Sequence, residues 1–191
     1  MRQRALLNLL KITIRISKRL TPLQARHYGK TNDKENVMTT QVSNPLTLVM
    51  NIKTADDAIE IQKLLAGFES MGDENPINIA LTKIGTVHFA RFVFLSPLQL
   101  AVITSYDGEF TRYIEDFSKE IGDIFNTLLS FMVDAPPLPV QNNLKDFMLY
   151  IQKNDRSFVG GELQPLYSAY PTLSVQDILA NAGENTLSEA S

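Results

Sequence analysis

The chain has 191 residues, 44% of them hydrophobic, with no cysteine, no tryptophan and two histidines. That length suits one domain with an appendage; the missing thiols exclude disulfides and thiolate metal sites, and so few histidines argue against a protein-only zinc centre. The net charge of −3 conceals a split, because residues 1–30 hold eight Lys and Arg and no acid, while 31–191 hold ten against 21 acids. A basic arm therefore precedes an acidic body, and that body is ill-suited to nucleic acid.

Wound as a helix, residues 1–20 place Arg4, Lys11, Arg15, Lys18 and Arg19 on one side. Leu6, Leu9, Leu10, Ile12, Ile16 and Leu20 fall largely on the other. Three readings of this arm stand: a helix lying on an anionic membrane surface, a mitochondrial presequence, or an ordinary helix packed on the domain. Arg26-His27-Tyr28-Gly29 resembles a presequence cleavage site, which would make 1–28 a targeting segment. Met38 is a second start that would omit the arm. No apolar run reaches the roughly 18 residues that span a bilayer, so the expected location is cytoplasmic, at most peripheral to a membrane, with a mitochondrial address as the alternative.

Residues 31–45 are polar, with Asn32, Asp33, Asn36, Asn44 and Pro45, and read as a linker. A folded domain is expected over 46–182. It opens with a strand, 46–52, whose Leu46, Leu48, Met50 and Ile52 share one face. Thr54, with Asp57 three residues on, caps a helix to about 68, striped by Ile61, Leu64, Leu65 and Phe68. A break at 72–76 and a short helical piece over 77–84 lead to two extended runs joined at Ser96-Pro97. In the first run Val87, Phe89, Val93 and Leu95 point one way, and Ala90, Phe92 and Phe94 the other. A strand apolar on both faces needs cover on both.

Asp107-Gly108 then launches a long helix, 109–132, with an apolar stripe from Phe110 through Phe117 and Phe125 to Met132. Prolines 136, 137 and 139 stop it, and a further helix is expected over 140–152. Gly160-Gly161 marks a loop and lacks the Lys-Ser/Thr of a phosphate loop. A last strand over 166–170, a closing helix over 174–180 and a disordered tail over 183–191 complete the reading. The order β-α-β-β-α-(α)-β predicts an α+β fold: the ferredoxin-like split βαβ, an antiparallel sheet with helices on one face, plus extra helices. The opposite face would be hidden by a second subunit, a flat ligand or those extra helices.

The run Val87-His88-Phe89-Ala90-Arg91-Phe92, then Tyr106-Asp107-Gly108, then Tyr170-Pro171 before Val175-Gln176-Asp177-Ile178, resembles an uncharacterised, mostly bacterial family of the dimeric α+β-barrel superfamily. The resemblance covers about 46–180. More distantly it is similar to the modules of dye-decolourising peroxidases, chlorite-dismutase-type haem proteins and small monooxygenases. It implies a homodimer formed through the sheet face and a pocket for haem or a flat ligand. Those haem enzymes carry the proximal histidine on a helix, whereas His88 falls in a strand.

His88, the one histidine of the folded body, reads as an axial ligand or general base, or else as a hydrogen-bonded structural residue. Arg91 would hold an anionic group or pair with an acid of a neighbouring helix. Asp107 would cap the helix that follows it, or act as acid/base. Tyr106, Tyr167 and Tyr170 would line a pocket mouth. The expectation is a small-ligand-binding protein, accessory to oxidative metabolism. A haem-dependent or cofactor-free oxidoreductase using His88 is the alternative, and a membrane-surface adaptor acting through residues 1–20 is the third.

Overall fold

The structure, a computed structural model, describes residues 41–188. The basic arm, the linker up to residue 40 and the last three residues lie outside the described residues. So do all three readings of that arm, the presequence cleavage site at 26–29 and the second start at Met38.

β1 (Ser43–Asn51) comes first, three residues earlier than its apolar alternation suggests. α1 (Ala55–Glu69) follows, with Thr54 as its N-cap: Thr54 Oγ1 accepts the Asp57 amide at 3.1 Å and donates to the Asp57 carboxylate at 2.6 Å. Those two bonds satisfy an orphan amide of the first turn. A 3-10 turn, Gly72–Glu74, leads to α2 (Pro76–Ile84), which starts with Pro at its first position and the Asn75 side chain on the Ile77 amide. It ends at Gly85, whose φ of 68° is a conformation that glycine adopts without strain.

β2 (Val87–Ser96) and β3 (Gln99–Asp107) form the expected hairpin, turning at Pro97-Leu98. The sheet has the order β1-β3-β2 and every neighbouring pair is antiparallel. β1 and β2 are thus parallel to one another with β3 between them. α3 (Phe110–Ser130), a 3-10 turn at Val140–Asn142 and α4 (Leu144–Asn154) come next. A two-residue hairpin follows, β4 (Phe158–Val159) against β5 (Glu162–Leu163), and α5 (Val175–Ser188) closes the described chain. The fold class is α+β.

The core lies on one face of the sheet. Leu46, Leu48 and Met50 of β1 and Leu100, Val102 and Tyr106 of β3 join Ile61 of α1, the Ile114–Phe125 stripe of α3, and Phe147 and Ile151 of α4 in one cluster. Phe117 meets Phe125 edge-on at 4.5 Å between centroids, a favoured aromatic geometry.

Two expectations fail. No strand forms over 166–170; that segment is irregular. The free edge of β1, where a fourth strand would sit, instead takes an isolated antiparallel bridge, Leu48 to Asp155, with a second, Ile52 to Met132, just past its end. There Arg156 N–H donates to Thr47 O at 2.8 Å, while the Asp155 carboxylate accepts the Thr47 amide at 3.1 Å in place of a carbonyl. The closing helix also continues to Ser188, past the expected end near 180, so residues 183–188 belong to it.

The face assignment in β2 needs correction as well. Val87 pairs with Tyr106 and Phe89 with Ser105, so His88 is the extra residue of a β-bulge. Val87 therefore shares the core face with Ala90, Phe92 and Phe94, and only Phe89, Arg91 and Val93 keep the outer face.

Candidate functional site

The bulge determines what His88 does. An alternating strand would send the imidazole across the sheet; the extra residue turns it toward the end of β3, where Asp107 stands. His88 Nε2 lies 2.6 Å from Asp107 Oδ1, and the two side chains are 3% and 10% exposed. With the carboxylate as acceptor, Nε2 donates to Asp107 and Nδ1 is the ring's other nitrogen. Tyr170 stacks over the ring at 6.1 Å and 29°.

Asp107 does not cap the helix that follows it. The N-cap of α3 is Glu109, which makes no side-chain cap bond. The second Asp107 oxygen instead accepts the amide of Val175, first residue of α5, at 2.7 Å. A carboxylate at that end complements the helix dipole and satisfies a donor that has no intrahelical partner. Gln176 reinforces the seat by donating from Nε2 to Gly85 O at 2.8 Å. The first turn of α5 is completed by Ser174 and Asp177: the Ser174 hydroxyl donates to Asp177 Oδ2 at 2.6 Å and accepts the Asp177 amide at 3.2 Å. These bonds hold the Asp177 carboxyl below its usual pKa.

Between α2, the start of β2 and α5 runs a groove of about 510 Å³, with His88 and Tyr170 in its wall. Leu81, Val87, Ala90 and Ile178 make most of the remainder apolar. Its size and lining fall within the range of small-molecule sites.

The residues expected to act together are divided. His88, Asp107 and Tyr170 meet. Arg91 sits exposed on the outer face of the sheet opposite Ile103 and makes no ion pair among the described residues. The expected pairing with a helix acid is absent. Tyr106, next to Asp107 in β3, points away from the pair; it is 4% exposed and lies in the wall of a second cavity of about 480 Å³. Tyr167 is 89% exposed and lines neither cavity. Ser174, Val175 and Gln176 are the contributors that the sequence reading missed; Ser174-x-x-Asp177 is the capping signal that could have marked the start of α5.

Haem fits poorly here. An axial ligand must present an accessible nitrogen, but the His88 ring is 3% exposed beneath Tyr170 and its Nε2 already engages Asp107. Among the described residues no three His, Asp or Glu side chains converge on a metal position, and no helix is long and apolar enough to cross a membrane.

Fold and site together define an α+β domain with an apolar groove beside a buried His–Asp pair. Comparison of the chain with protein-family models, with curated proteins and with solved structures finds no match.

Proposed function

We propose that this domain binds a small, mainly apolar ligand in the groove between α2, β2 and α5. The observation that carries the reading is the groove itself: about 510 Å³, apolar on most sides, with one oriented imidazole and one tyrosine to fix a polar end. Ala90 is exposed in its wall and offers a test. Full-length protein titrated with the apolar fluorophore 8-anilinonaphthalene-1-sulfonate is expected to bind it saturably, and Ala90→Phe is expected to abolish that signal. Equal binding by both proteins would sink the reading.

The strand order, with the isolated bridge at Asp155 in the fourth position, supports a ferredoxin-like module whose last strand is reduced to a residue pair there. The half-exposed outer sheet face supports a homodimer formed through it.

A second reading rests on the His88–Asp107 pair, in which a carboxylate holds the imidazole with Nδ1 as its free basic nitrogen. That is the arrangement of a general base for cofactor-free proton transfer, and it requires the bound ligand to displace Tyr170 from over the ring so that the nitrogen is reached. A groove ligand returned chemically altered by the wild type and unaltered by His88→Gln marks an enzyme; one returned intact by both marks a binding protein.

A further inference from the structure

The second cavity, about 480 Å³, lies at the same end of β3 but on its β1 side, between the starts of β1 and α3, the end of α4 and the β4–β5 hairpin. Its apolar wall comes from Pro45, Phe110, Phe158 and Leu163. Phe158 and Leu163 are 49% and 44% exposed, so the hairpin presents greasy surface to the opening.

Its polar groups are unbalanced. Tyr106 is 4% exposed and lines the cavity, yet its hydroxyl makes no hydrogen bond to any described residue. Unlike the sealed-off Ser118 and Ser157 hydroxyls, the phenol oxygen opens into the cavity and offers its bonding capacity there. Its ring stacks on Tyr113 at 4.0 Å, which fixes its direction. Asp155 and Glu109 also line the cavity, and neither has a basic partner among the described residues. Asp155 spends Oδ1 on the amides of Thr47 and Ser157 and keeps Oδ2 free. No Lys or Arg contributes to the wall. Two carboxylates and a phenol thus line a cavity whose other walls are Pro45, Phe110, Phe158 and Leu163 and the neutral amides of Asn44 and Gln152.

We infer that this cavity is a binding site for a small amine with an aromatic or branched apolar body, its ammonium held by Asp155 and Glu109 and by the Tyr106 oxygen. Ammonium supplies three donors and no acceptor, which matches two carboxylates and the phenol lone pair. Burial first, then the neighbouring Tyr113, Asp155 and Glu109, push the Tyr106 pKa up to about 12, so the phenol stays neutral across physiological pH. The site is separate from the His88 groove and does not depend on how that groove is used.

The test is calorimetric titration of the full chain with 2-phenylethylamine, beside the neutral 2-phenylethanol and the anionic 3-phenylpropionate. The amine is expected to bind saturably, more weakly at high salt, and the two analogues at least tenfold more weakly. Tyr106→Phe is expected to weaken amine binding about fivefold, the size of one net hydrogen bond. Glu109→Gln, at an exposed residue with no structural bonds, is expected to weaken it about threefold. Asp155→Asn keeps an oxygen for the Thr47 and Ser157 amides and is expected to cost about tenfold. Absence of saturable binding, equal binding of the alcohol, or full affinity in both Glu109→Gln and Tyr106→Phe would overturn the inference.

Discussion

His88 and Asp107 stand on the two strands at the open end of one hairpin, and their side chains close it with a 2.6 Å contact, while the second carboxylate oxygen holds the first amide of α5. One carboxylate thereby joins β2, β3 and the closing helix. Replacing it with a methyl group leaves an imidazole N–H and a backbone N–H without an acceptor where side chains are 3% and 10% exposed. Asp107→Ala is therefore expected to cost about 3 kcal/mol, since hydrogen bonds to a charged group contribute about 1.5–3 kcal/mol each and the loss is partly relieved by solvent. Urea denaturation measures the cost. Hydrogen exchange should show the α5 amides losing protection first, and unchanged protection there would refute the clamp.

Gly85 tests the same seat from the other side. A Cβ built on it would come within 2.8 Å of Gln176 Nε2, and its φ of 68° is strained for any other residue. Gly85→Ala should cost about 1–2 kcal/mol through backbone strain and displace the Gln176 side chain. The expected result is faster exchange in α5 with the sheet amides unaffected. Uniform loss of protection everywhere would mean that α5 is no separate unit.

Much of this architecture could be read in advance. The Thr54–Asp57 cap, the α3 stripe from Tyr113 to Met132 and the Ser96-Pro97 corner are local patterns, and local patterns decide local structure. The His88 bulge is different. Which residue a strand leaves unpaired depends on the partner strand, so alternation alone put Val87 on the wrong face. Leu166–Tyr170 looked like a strand, but the edge of β1 is already met by Arg156 N–H and the Asp155 carboxylate, a side chain standing in for a strand. The pairing of His88 with Asp107 joins residues 19 apart, and the hold of Asp107 on Val175 spans 68. Neither separation leaves a periodic trace, so Asp107 read as the cap of the wrong helix.

Three tyrosines predict how the domain responds to alkali. Burial is the chief cause that pushes the pKa of Tyr106, Tyr113 and Tyr150 from 10.0 to about 12. The unfolded chain releases these protons near pH 10 and the folded one near 12. Their stabilisation is complete below pH 10 and is lost as pH rises toward 12. Each ring thus contributes stability that alkali removes, and the fully buried Tyr113 is expected to contribute most. Urea midpoints should be level to about pH 9.5 and fall steeply above it, while Tyr113→Phe should reduce the slope by about a third or more. A midpoint that stays flat to pH 12 would contradict the burial of these rings.

The outer face of the sheet predicts self-association of limited strength. Val49, Val93 and Ile103 are half-buried there, and Phe89 is 67% exposed. Three strands about 4.8 Å apart and about nine residues long present roughly 400 Å² per copy. Two such faces together bury about 800 Å², short of the roughly 1,000 Å² expected of a stable pair. A homodimer through this face should therefore dissociate in the micromolar range or above, visible as a concentration-dependent mass in sedimentation equilibrium. Ile103→Glu provides the control, because Arg91 lies directly across the strand pair and can neutralise the new charge within one subunit. The variant should keep its circular dichroism and lose the association, since each copy would bring two desolvated charges to the contact. A wild type that stays monomeric to about 1 mM, or a variant that associates as strongly, would rule out this face as the dimer contact.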